Sequence, residues 1–158
     1  MKMRLHHYVL VLFVCLGASC SKESPGDTNI PIAENEVAVE NALLNVVNDH
    51  RTSLGYNALN FSQEAYEYAN SHNDYMISKG SLSHDNFSAR ASSIASEVGA
   101  EYVAENVAKD YDTAVAAFEN WLASSSHKKT MEDEFTHTAV SVKKDAGGNF
   151  YFTQLFFR

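Results

Sequence analysis

The chain has 158 residues, 45% of them hydrophobic, with 20 acidic and 12 basic side chains. That length supports one self-sufficient core and falls short of two ordinary domains. A net charge of −8 argues against nucleic acid or anionic headgroups as the main partner, because phosphate contacts need a basic face.

The first residues carry Lys2 and Arg4, then an apolar stretch from Tyr8 to Leu16, then Gly17, Ala18 and Ser19 before Cys20. A basic start, a short apolar run and small residues at a cut make a secretory signal. The run is too short for a membrane span, which takes about 20 apolar residues. Two readings of the cut stand. In the first, residues 1–19 leave as a signal, Cys20 becomes a lipidated N-terminus and 20–34 is a flexible tether, giving an envelope lipoprotein of the inner or outer membrane. Leu16-Gly17-Ala18-Ser19-Cys20 resembles a lipobox, with Gly17 where leucine is usual. In the second, an ordinary signal peptidase cuts nearby and the product is secreted. Small residues directly before a cysteine favour the first. Once Lys2 and Arg4 are gone, 10 basic residues face 20 acidic ones. The folded part, 35–158, has no cysteine, so its stability does not depend on disulfides.

From Asn35 the pattern is helical, with Val39, Leu43, Val46 and Val47 on one face and Gly55 as its stop. Ser62 and Glu64 open a second helix, lined by Ala65, Tyr68, Ala69, His72 and Met76 up to Gly80. Ser88 to Val98 reads as a shorter helix closed by Gly99, and Tyr102-Val103-Ala104 as a brief strand. Asp112-Thr113 caps a further helix whose expected buried face is Val115, Phe118, Trp121 and Leu122. Thr136 to Val142 then alternates, Gly147-Gly148-Asn149 signals a turn, and Phe150 to Phe157 is a second strand. The fold class expected is α+β, an antiparallel hairpin packed on helices.

Among seven histidines, His6 and His7 leave with the signal. His50 sits at the end of the first helix, where a cation suits the dipole. His72 falls on an apolar helix face and reads as a core histidine with one hydrogen bond. His137 begins a strand without a sequence neighbour to partner it. His84, in Leu82-Ser83-His84-Asp85, and His127, in Ser124-Ser125-Ser126-His127-Lys128, follow helix ends. Between them lies Ala104-Glu105-Asn106-Val107, with a carboxylate inside an apolar segment. A buried carboxylate needs pairing, which two imidazoles or a shared metal would supply.

From about Asn41 to Phe157 the sequence resembles the CAP superfamily, also called SCP-like. The resemblance runs through Leu44 to Arg51, Gly55-Tyr56-Asn57-Ala58-Leu59, Ala69 to Met76, Ser83-His84 and Ala104-Glu105-Asn106-Val107-Ala108. It continues through Trp121, Ser124 to Lys128, Phe135 to Val140, and Tyr151-Phe152-Thr153-Gln154-Leu155-Phe156. It implies a three-layer α-β-α sandwich, a small antiparallel sheet flanked by helices, with a groove that in many members carries two histidines and two glutamates. By position, His84, Glu105 and His127 match three of these, and the fourth falls on Ser124. Glu119 and Glu132-Asp133-Glu134 are substitutes for it that read better as solvated faces. The expected groove is therefore His84, Glu105, Asn106 and His127, with Asn106 fixing backbone. His84, Glu105 and His127 are the candidate ligands for a divalent metal, Zn or Mg.

Three functions compete. The first is a non-catalytic monomeric module holding a lipid, peptide or envelope glycan, tethered to the membrane through lipidated Cys20. The second is a metal-assisted hydrolase with Glu105 as general base. The third is a polar core network that fixes the fold.

Overall fold

The computed structural model describes residues 33–158, so the signal sequence, Cys20 and most of the tether lie outside the described residues. The elements in order are α1 (Val37–Ser53), β1 (Asn60–Phe61), α2 (Gln63–Lys79), α3 (Phe87–Val98), β2 (Val103–Lys109), α4 (Ala114–Ala123), α5 (Ser125–Glu132), β3 (His137–Lys144) and β4 (Phe150–Phe157).

The sheet has the order β1-β3-β4-β2, with β2 at one edge. The expected β3–β4 hairpin is present. Asp145 turns it by accepting from the N–H groups of Gly147 and Asn149, each at 2.9 Å. Two strands depart from expectation. β1, too short to announce itself, pairs parallel to β3 and makes the sheet mixed. β2 runs seven residues, well past Ala104, antiparallel to β4.

Side chains alternate across a strand, so the register sorts them into layers. Ala108, Val140, Val142, Phe152 and Phe156 share one core with Leu43, Val47, Phe118, Trp121 and Met131, from α1, α4 and α5. Ala139, Leu155 and Phe157 face the other way, onto Ala65 and Ala69 of α2 and Ile94 of α3. Two helical layers thus enclose one sheet.

α1, α2 and α4 form where the periods place them. The buried stripe of α1 is Glu40, Leu43, Val47 and Arg51, an apolar pair with a buried charge at each end. The Glu40 carboxylate accepts from Asn35 Nδ2 (2.6 Å), the Val142 N–H (2.9 Å) and the Tyr66 hydroxyl (2.8 Å). Burial and that carboxylate push the Tyr66 hydroxyl up to about 12, so it stays a donor. Leu54 ends the helix, and Gly55 turns the chain at φ +86°, where a side chain would be strained. Ser62 caps α2 by accepting from the Ala65 N–H, and Thr113 caps α4 through the Ala116 N–H.

In α4 the buried face is Ala114, Ala117, Phe118 and Trp121. Val115, expected inside, is exposed because the Ala114–Trp121 stripe turns it outward. The short α5 is mostly polar, with Met131 alone buried, so no apolar period marks it.

Candidate functional site

The site is built on two adjacent residues of the edge strand β2. Glu105 and Asn106 alternate, so one points to each helical layer. Glu105 reaches α2 and α3, and Asn106 reaches α5. Both are buried.

The Glu105 side chain is 1% exposed, and both of its oxygens are engaged. Oε2 accepts from Arg90 Nε at 2.8 Å. Arg90 Nη2 lies 2.6 Å from the same oxygen, an ion contact off the hydrogen-bonding line. Oε1 lies 2.9 Å from His84 Nδ1. A carboxylate only accepts, so Nδ1 carries a proton, and in the neutral ring the lone pair of His84 sits on Nε2. The His84 side chain is half exposed.

Sequence reasoning passed over two residues that hold this arrangement. His72, at 2% exposure a core histidine as expected, donates from Nε2 to the Ser83 carbonyl at 2.8 Å. The same nitrogen stands 3.6 Å from Glu105 Oε1. Burial holds the His72 imidazole below its usual range, with Glu105 opposing and Arg90 adding to the effect. Arg90, besides pairing with Glu105, donates from Nη1 to the Asp85 carbonyl at 3.2 Å. The backbone on either side of His84 is therefore gripped by His72 and Arg90, the two side chains that also face Glu105. Tyr75 adds a third hold, its hydroxyl 2.7 Å from the Asp85 carboxylate.

On the other face, Asn106 Nδ2 donates to the His127 carbonyl at 3.1 Å, while its Oδ1 is buried without a partner. Asn106 thus fixes the backbone of α5 at His127. The His127 imidazole has its Nδ1 buried and unpartnered. Burial first, and then the nearness of His84, hold it below the usual histidine range, which favours the neutral ring. His84 and His127 approach the β2 edge from opposite layers.

Ser124, at the fourth family position, joins α4 to α5 and contacts Ser126 Oγ at 3.2 Å. Of the substitutes, Glu119 is exposed, and Glu132 pairs with His50 at 2.8 Å. His137 lies against Phe157 and 2.8 Å from the Thr136 hydroxyl. Among the described residues no group of three or more His, Cys, Asp or Glu side chains could hold a metal ion. His84, Glu105 and His127 are gathered at one strand edge, yet Glu105 faces a guanidinium and the imidazoles are not joined to it as a ligand set. Metal does not fit this arrangement.

The family motif before β1 has a structural explanation. Asn48 brackets Leu59, donating to its carbonyl at 3.2 Å and accepting from its N–H at 2.8 Å. Arg51, 1% exposed, donates to the carbonyls of Asn57 (3.0 Å), Met131, Asp133 (2.9 Å) and Phe135 (3.2 Å). Burial lowers its pKa from the usual value, with Tyr56 and Asp133 opposing. These residues tie the turn after α1 to the segment from α5 into β3.

Comparison with known proteins agrees with this frame. Residues 44–156 match the CAP profile, described as the cysteine-rich secretory protein family. A search of curated proteins finds no match. Among solved structures, an extracellular protein with an SCP domain from Bacillus anthracis is 26% identical, with TM-score 0.68 over 77% of this chain and 41% of that one. This chain therefore spans less than half of that protein's length. An outer surface protein of Borrelia burgdorferi matches with TM-score 0.72 at 16% identity, over 80% of this chain and 98% of that one. A cysteine-rich secretory protein of Staphylococcus aureus matches with TM-score 0.64 at 19% identity, over 80% of this chain and 40% of that one. The last two establish likeness of fold only. With the profile spanning well over half of its length, the chain belongs to the CAP family, with the α+β architecture of its solved relatives.

Proposed function

We propose that this chain is an exported, non-catalytic binding module, held at a membrane through lipidated Cys20, whose groove between His84 and His127 takes a ligand of the cell envelope. One observation carries this reading: Glu105 has both oxygens bound, by Arg90 and by His84. It cannot act as a general base without giving up one of them. What the site presents is a His84 ring whose Nδ1 is committed to Glu105, beside a His127 ring whose burial favours the neutral form. Such groups orient a ligand by hydrogen bonds. Export is supported by the signal sequence and by the extracellular description of the Bacillus relative.

The test is a titration of the labelled mature domain with phospholipid vesicles, an extended peptide and a soluble envelope glycan, watching the His84 and His127 side-chain signals. Saturable shifts with one probe, no product formed, and an affinity at least about tenfold weaker in His84→Ala are expected, tenfold being 1.4 kcal/mol. Turnover of any probe, or shifts with none, would overturn the reading.

A further inference from the structure

We infer that Arg90 takes the place of a metal ion in this groove, and that the groove holds no divalent metal while Arg90 is paired with Glu105. The inference stands whichever ligand the groove takes.

Three observations carry it. First, the charge of Glu105 is already balanced. Arg90 meets its Oε2 at 2.8 and 2.6 Å, with the Arg90 side chain 9% exposed and that of Glu105 1%. A divalent ion would have to displace a guanidinium from a dry interior, leaving one buried charge unpaired. Second, Arg90 has anchors of its own. Nη1 holds the Asp85 carbonyl, and the guanidinium lies 6.0 Å from the centre of the Phe87 ring. It is built into the α3 layer and is not a side chain that swings away at no cost. Third, the His84 nitrogen nearest Glu105 is occupied as a donor to it, so imidazole and carboxylate do not present lone pairs to one point. A zinc ligand set requires that convergence.

Arg90 therefore does what a bound cation would do: it pairs with the buried Glu105 carboxylate, and Glu105 in turn fixes the direction of His84 through Nδ1. The same pairing closes the site to metal. Removing the guanidinium leaves a buried carboxylate beside two imidazoles, His84 and His72, with His127 close to His84. Once His84, released from its donor role to the carboxylate, turns to present a lone pair, such a set attracts zinc or cobalt.

The experiment titrates the mature domain with Zn(II) and Co(II), following melting temperature and the visible absorption of cobalt, in the native chain, Arg90→Gln and Arg90→Gln/His84→Ala. The native domain should show no metal-dependent change that depends on His84. Arg90→Gln should gain zinc stabilisation and bind at least about tenfold tighter, tenfold being 1.4 kcal/mol, and the double variant should lose that gain. Native binding that His84→Ala abolishes overturns the inference, as does a folded Arg90→Gln without any gain. If Arg90→Gln does not fold, the Arg90 Nε–H signal of the native domain decides. Its persistence in excess zinc supports the inference, and its loss together with a His84 shift overturns it.

Discussion

Glu105→Gln lowers the stability of the domain by about 3–5 kcal/mol, the range seen when one partner of a buried ion pair is removed. At the sensitivity of a domain this size that is a fall of roughly 10–20 °C in melting temperature. The side chain keeps its shape, so packing is not the cause. What goes is the charge that Arg90 and His84 Nδ1 both face. Arg90 is left as a cation in the interior, and the His84 tautomer loses its reason. The loss should be partly recovered in Glu105→Gln/Arg90→Leu, because removing both ions removes the unpaired one. Chemical denaturation of the three chains measures this. A loss below 1 kcal/mol in the single variant, or no recovery in the double, would show that the pair does not hold the β2 edge as described.

Arg51→Met is the second large effect, at about 3–5 kcal/mol, since each buried group left without a hydrogen bond costs roughly 1–3 kcal/mol. Methionine fills much of the same volume and ends all four carbonyl contacts, to Asn57, Met131, Asp133 and Phe135. Those carbonyls lie in the turn after α1 and in the segment from α5 into β3. The substitution should therefore loosen both, and hydrogen exchange should report it at 55–59 and 131–136 before the β3–β4 hairpin opens. Uniform loss of protection over the whole domain, with no local opening first, would contradict this.

How much of this was legible beforehand depends on what each residue does. α1, α2 and α4 were readable because burial there follows an apolar period, and the hairpin because alternation and Gly147-Gly148 agree. β2 is longer than its sequence announces, for a physical reason. Its middle residues, Glu105 and Asn106, are polar on both faces, so the alternation that marks a half-buried strand is absent. The residues that make the site are the ones that hide the strand. α5 escaped because its polar surface leaves Met131 as its one buried side chain, and β1 because two residues carry no period.

The site shows the same division. His84, Glu105 and His127 could be picked out by the motifs of a CAP chain, and the structure brings them to one strand edge. The counter-charge could not. The expected partners of the buried carboxylate are His84 and His127; it pairs with His84 and with Arg90, 15 residues away along the chain, and its second neighbouring imidazole is His72 at 3.6 Å. A signal existed: Arg90 is a charge set among Ala89, Ala91 and Ile94, in the helix directly before the strand that carries Glu105. His72 is the core histidine that its helix face predicts, and its one hydrogen bond grips the loop that carries His84.

The central claim is that Glu105 sets His84 with its proton on Nδ1 and its lone pair on Nε2. Long-range proton–nitrogen NMR of the labelled mature domain at pH 7.5 measures this directly. The account predicts the Nδ1–H tautomer for His84 in the native chain and a return toward the common Nε2–H form in Glu105→Gln. A native His84 already in the Nε2–H form, unchanged by the substitution, would contradict it.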